Sequence, residues 1–178
     1  MADPKRLLLK IALTEWLEGI TPDNGYQHDL SRGEDVTGPV RVFRGRDRFG
    51  DQDALPALAI IEPLNPDRDI DSAGTGRMVN EEFILMIQGW AAPDVSEIHV
   101  TDAADRLLAD AKKRIGELIG NDLSPQEAQE WHNLFGLATD VRVEPGTVRP
   151  PDQFSSLAYC YFRVAFGFAE MIDDPYGV

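Results

Sequence analysis

The segment Ser156 to Met171 alternates strictly, and this constrains the fold more than any other feature of the 178 residues. Ala158, Cys160, Phe162, Val164, Phe166 and Phe168 fall on one side of an extended chain, with Leu157, Tyr159, Tyr161, Arg163 and Ala165 on the other. A long strand with one wholly apolar face has to lie against a core, so the chain needs a sheet with another layer packed on one side. The even-numbered positions should face that core. The odd-numbered face, with Tyr159, Tyr161 and Arg163, has the composition of a surface that meets something polar.

Two helices can supply the second layer. From Pro4 to Glu18, Asp3 can cap, Pro4 suits the first helical position and Gly19 can end the element. Leu8, Leu9, Ala12, Leu13, Trp16, Leu17 and Ile20 share its broad apolar face. Leu7 and Ile11 fall among Lys10, Thr14 and Glu18 on the polar side, either as singly exposed apolar residues or as a second buried face against a neighbouring subunit. Thr101 or Asp102 opens the other helix, in which Ala104, Leu107, Leu108, Ala111, Ile115, Leu118 and Ile119 recur at helical spacing until Gly120-Asn121. A capping box at Ser124-Pro125-Gln126-Glu127 predicts a short third helix.

Further strands are expected at Tyr26–Leu30, Val40–Arg44, Leu55–Glu62, Glu81–Trp90 and Val141–Glu144, with a turn-rich link from Pro145 to Pro151. Leu55–Glu62 and Glu81–Trp90 are apolar on both faces, as central strands are. The Pro-, Gly- and Asp-rich connection from Pro63 to Asn80 is long for a compact domain, and is therefore expected to be mobile or functional. These elements together predict one α/β domain of the α+β type over residues 1–178: a mixed, mostly antiparallel sheet packed against two main helices, with a long inter-strand loop.

Composition narrows the function. With 43% hydrophobic and 27% charged residues the chain is globular rather than disordered. Its formal net charge of −14 opposes wrapping by nucleic acid, and would suit a channel through which DNA slides without sticking. Cys160 stands alone in apolar surroundings, which predicts an inert core thiol. No leader-like apolar run follows Met1, and none reaches the roughly 20 residues of a membrane span, so a cytoplasmic protein is expected.

Chemical motifs are thin. The phosphate-loop pattern is missing, and Gly74-Thr75-Gly76 precedes a strand and has Val79 where the third glycine of a dinucleotide fingerprint belongs. Asp67-Arg68-Asp69-Ile70-Asp71 copies half of a calcium loop, but Ser72 and Met78 stand where Gly and a bidentate Glu are needed. His28, His99 and His132 lack zinc-site spacing. One cluster opposes the acidic background: Arg41, Arg44, Arg46 and Arg48, with Phe43 and Phe49 interleaved. Three readings fit it, namely a solvated hairpin paired with Asp47, Asp51 and Asp53, ion pairs between subunits, or a nucleic-acid contact.

Four segments in order, "LTEWLEGITPDNGY", "VFRGRDRFGDQDALPALAIIEP", "LMIQGWAAPD" and "TDAADRLLADAKKRI", resemble the tail terminator (tail completion) proteins of long-tailed bacteriophages. The resemblance spans roughly residues 5 to 118 and the closing "RVAFGFAEMIDDPYG"; residues 120–138 read as a branch-specific insertion. It implies a small subunit that assembles with itself into a ring, usually a hexamer, on the head-proximal end of the tail tube. Such a ring stops tube polymerisation and meets the neck or head-completion proteins, while DNA passes through its lumen without specific binding. It implies no active site and no cofactor, and a location in the host cytoplasm and then at the head–tail junction of the virion. On this reading Leu7, Ile11, Arg41, Arg44, Arg46, Arg48, Asp67, Asp69, Asp71, Tyr159, Tyr161 and Arg163 are the candidate subunit or tube contacts. The alternatives are another head–tail joining or tube subunit, and a small cytoplasmic enzyme using Asp67, Asp69 or Asp71.

Overall fold

The computed structural model describes residues 3–33, 38–49, 53–63, 78–93, 98–119, 133–153, 155–171, 173–174 and 176. Asp67, Asp69 and Asp71, the capping box at Ser124, His132 and most of the Pro63–Asn80 connection lie outside these residues, as does the side chain of Phe168.

The elements follow in the order α1 (Lys5–Glu18), β1 (Val42–Arg44), β2 (Ala57–Ile61), β3 (Met78–Trp90), α2 (Asp102–Ile119), a single-turn α3 (Asn133–Gly136), β4 (Asp140–Val143), β5 (Thr147–Arg149) and β6 (Tyr159–Met171). Among the described residues they build one mixed sheet in the order β1-β2-β3-β6-β4, with β5 also on β6. All pairs are antiparallel except β1–β2. The expected class is thus the observed one.

The alternation of β6 does what its sequence requires. Ala158, Cys160, Phe162, Val164 and Phe166 are buried, and register aligns the last four with Gly89, Ile87, Leu85 and Phe83 of β3. Leu9, Ala12, Leu13, Trp16 and Leu17 of α1 and Ala103, Leu107, Ala111, Ile115 and Leu118 of α2 close over this face in one continuous core. Pro4, not Asp3, occupies the N-cap of α1, with no side-chain cap. Part of the segment read as an insertion also belongs to the core, since Leu134 of α3 and Ala138 are buried in it.

Four local expectations are corrected. Tyr26–Leu30 is not a strand. Tyr26 and Leu30 are buried, but Asp110 of α2 fixes the backbone between them: its Oδ2 accepts from the N–H groups of Gln27 (2.9 Å) and His28 (3.0 Å) and lies 2.8 Å from His28 Nδ1. The proposed hairpin at the arginines is instead a parallel pair, Val42 opposite Leu58, joined by a crossover from Gly45 to Pro56 long enough to reverse the chain twice. Met78 to Asn80 belong to β3 rather than to the connection before it. The Pro145–Pro151 link contains β5.

β4 and β5 form one interrupted edge along β6. Val143 faces Val164 and Thr147 faces Tyr161, so Glu144, Pro145 and Gly146 stand opposite only Arg163 and Phe162. The extra residue is a bulge, which accommodates a proline that could not sit in a central ladder. Gly146 is needed there because a Cβ would come within 2.5 Å of Leu108 Cδ1.

Burial holds the Cys160 thiol protonated, pushing its pKa from an ordinary 9.0 up to about 12. At pH 8 the folded protein therefore carries about a thousandfold less thiolate than an unfolded chain. A maleimide or iodoacetamide label is expected to react with Cys160 only as fast as the protein unfolds; rapid labelling without denaturant would contradict this.

Candidate interaction surfaces

Both helices cover the same face of the sheet, and among the described residues no helix packs on the opposite face. Register sets Phe43, Ala59, Gln88 and Tyr161 side by side across it, and Ile61, Met86 and Arg163 in the next row. Most of these side chains are half-buried and Arg163 is exposed. Tyr159 and Tyr161 stack with ring centroids 6.4 Å apart. Tyr159 donates its hydroxyl to Asp152 Oδ2 at 3.0 Å, and its pKa is raised, chiefly by burial and then by that bond. Arg163 reaches Glu144 at 4.0 Å, a weak pair that leaves its guanidinium half in solvent. The three odd-face residues expected from the alternation thus share one surface.

The crossover covers one end of this face. Phe49 lies on Trp90 with centroids 4.2 Å apart and meets Phe43 edge-on at 5.2 Å. Arg46 spreads over both phenylalanines, at 4.7 and 4.6 Å from their centroids, while its Nη2 donates to both carboxylate oxygens of Asp53 at 2.6 Å. Arg41 donates to the carbonyls of Leu55 (2.6 Å) and Pro56 (3.3 Å), where the crossover enters β2. Two of the four arginines therefore hold the chain's own loop in place, as the local-pairing reading anticipated for Asp53. Arg48 is exposed beside a cleft of about 190 Å³ lined also by Asp47, Phe49, Gln88, Trp90, Ser155 and Tyr159. Removing Arg46 as Arg46→Ala is expected to cost about 1 kcal/mol, since the pair is half in solvent, and to red-shift tryptophan emission as Trp90 gains water. An unshifted spectrum would mean that Phe49 stays in place without the arginine.

Arg44 stands apart. It is exposed at the end of β1 and lines a groove of about 660 Å³ with Leu7, Lys10, Ile11, Gly45, Ile60, Ile61 and Glu62. Lys10 Nζ pairs with Glu62 Oε1 at 2.8 Å, tying α1 to the end of β2 across the groove. Arg44 has no ion pair among the described residues, and Glu18 is near enough to feel its charge only through space. Leu7 and Ile11, the apolar residues on the polar side of α1, are half-buried here and form much of the groove wall. The helical phase is therefore as expected, and the structure joins two separately chosen features, the misplaced aliphatics and one arginine of the cluster.

The one deeply buried acid among the described residues, Asp110, is 6% exposed and holds the 20–30 segment through its carboxylate. Tyr26 and Arg114 extend that junction, the first donating to Glu117 Oε1 at 2.5 Å and the second pairing with Glu117 Oε2 at 2.9 Å while lying 3.6 Å from the Trp16 ring centroid. Among the described residues no group of three or more His, Cys, Asp or Glu side chains is placed to hold a metal, and no helix is long and apolar enough to cross a membrane. The sequence offered no sign of two exposed aliphatics, Ile98 (89% exposed) and Val100 (52%), ahead of α2. Their only signal is an Ile-x-Val pair in a polar connection. Compared with family models and with curated proteins, the chain matches none of either.

Proposed function

We propose that this chain is a tail-terminator-type subunit of a long-tailed bacteriophage, assembling into a ring that caps the head-proximal end of the tail tube. The ring halts tube polymerisation and joins the tail to the neck, with DNA passing through an acidic lumen. Its partners on this reading are further copies of itself, usually six to a ring, the tail tube protein and a neck or head-completion protein. The subunits would gather in the host cytoplasm and end at the head–tail junction of the virion.

The observation that carries this reading is the groove beside α1. Leu7 and Ile11 place aliphatic surface on the side of the helix away from its own core, next to an arginine with no ion pair among the described residues. Aliphatic surface beside an exposed arginine is the composition that a contact between subunits buries. The open sheet face with Tyr159, Tyr161 and Arg163 supports a second contact, and the net charge of −14 suits a passage for DNA.

Electron microscopy of tails assembled with and without the protein tests the reading. Tubes of uncontrolled length lacking a head-proximal cap are expected in its absence; tails of normal length that join heads would refute it. A folded but assembly-deficient variant adds a second arm. Leu7→Glu with Ile11→Glu is expected to keep native circular dichroism, because neither residue is in the core. Each aliphatic side chain buried at a contact is worth about 1.5 kcal/mol or more, so the pair should weaken association on the order of a hundredfold. Outright unfolding of the double variant would place these residues in the subunit's own stability instead.

A further inference from the structure

We propose that the groove beside α1 receives the Ile98–Val100 projection of a second copy of this chain, in a head-to-tail contact. The inference rests on the self-assembly reading above and names its two halves. The groove supplies an apolar wall from Leu7 and Ile11, above the buried Ile60, within about 660 Å³. The projection supplies the matching shape: Ile98 is 89% exposed and Val100 52% exposed, on the short stretch that leads into α2. Burying these side chains at a contact would be favourable, and the aliphatic pair does not occupy its own groove, since it is in solvent.

Charge selects the same pairing. Within the groove Lys10 is balanced by Glu62, which leaves Arg44 in excess. The first turn of α2, directly behind the projection, carries Asp102 and Asp105. Seating Ile98 and Val100 among the aliphatics brings those carboxylates toward Arg44, and a carboxylate is the partner a planar guanidinium holds best. A charge pair at the rim of an apolar contact fixes orientation more than it adds affinity.

Geometry decides what such a contact builds. The groove lies at the β1–β2 edge, whereas α2 packs against β3, β4, β5 and β6. One surface of a subunit meets a different surface of the next, so every copy retains one free groove and one free projection until the series closes. A heterologous contact of this kind gives rings when its rotation closes and filaments when it does not.

Cross-linking tests the pairing directly. The full chain carrying Ile98→Cys and Ile11→Cys, at raised concentration, is treated with a short bis-maleimide; Cys160 is buried and does not compete. A ladder of covalent multimers is expected from this double variant. A mixture of the two single variants should stop at dimers, and neither single variant should cross-link to itself. Wild-type protein treated in parallel with a lysine-reactive cross-linker reports any association that brings Lys5, Lys10, Lys112 or Lys113 of two copies together. Lysine-linked multimers without the cysteine ladder would overturn the groove pairing and leave the ring reading standing. Dimers from Ile98→Cys alone would overturn it in favour of a two-fold contact. Absence of multimers in both arms would overturn the pairing and the self-assembly reading together. Because Ile98 is almost wholly in solvent, Ile98→Asp cannot disturb folding, and it should reduce the lysine-linked multimers at least tenfold.

Discussion

Phe162→Ala is expected to destabilise the subunit by about 3–5 kcal/mol. The ring is 2% exposed, lies on the core face of β6 directly opposite Ile87 and is among the largest fully buried side chains of the core. β6 is also the strand on which β3, β4 and β5 all pair, so the cavity cannot collapse without moving three neighbours. A domain this size has about 5–15 kcal/mol in total, so the variant should lose at least about a fifth of its stability against urea. The midpoint should fall with an unchanged slope. A loss below about 1 kcal/mol would mean that the core relaxes around the vacancy far more freely than close packing allows.

Gly89 should be the least tolerant position of the sheet. A Cβ there would lie 2.8 Å from Leu58 Cδ2, 2.9 Å from Cys160 Sγ and 2.9 Å from Leu107 Cδ2. Two of those neighbours are its own cross-strand partners and the third comes down from α2, so the methyl group is pressed from both strands and from above. Gly89→Ala is expected to cost about 1–3 kcal/mol through overpacking, and Gly89→Val, with two more carbons, should leave little folded protein. The cause can be separated from a general intolerance. Adding Leu107→Ala makes room above the strand, so the double variant should be less destabilised than the sum of the two single changes. Strict additivity would show that Leu107 is not what excludes the side chain.

The elements readable from the chain are those whose own period records their surroundings. α1, α2, β3 and β6 each carry enough residues for helical or alternating apolar positions to repeat, and each lies within a few residues of its expected bounds. Three residues cannot show a period. β5, Thr147–Arg149, is a strand only because β6 offers a free edge after the bulge, and its flanking prolines made it read as a turn. Tyr26–Leu30 failed in the opposite direction. Its Tyr-x-His-x-Leu alternation is real and its apolar ends are buried, but a carboxylate 82 residues away claims the backbone N–H of His28. The pairing direction of β1 was equally out of reach, because register and sense belong to the partner strand as much as to the residues themselves.

The candidate surfaces divide in the same manner. That Leu7 and Ile11 lie off the core side of α1 follows from an angle of 100° per residue and needs no structure. That four arginines within eight positions do separate jobs cannot be read from their spacing. Arg46 and Arg41 are held by Asp53 and by the carbonyls of Leu55 and Pro56, while Arg44 alone reaches the groove. Ile98 escaped notice because a single aliphatic in a polar connection is unremarkable until its exposure is known.

The broken edge of the sheet limits how such a molecule may join with others. On one side the rim is three residues of β1, and on the other Pro145 and the bulge interrupt the row of amide and carbonyl groups that a foreign strand would need. Neither described rim can template indefinite strand-on-strand growth, the route by which exposed sheets pass into fibres. Association at these two rims is therefore left to side chains, whose contacts are finite in number and reversible. Growth by strand addition is thus closed at both described rims, and a contact made of side chains can be retuned by a single exchanged residue.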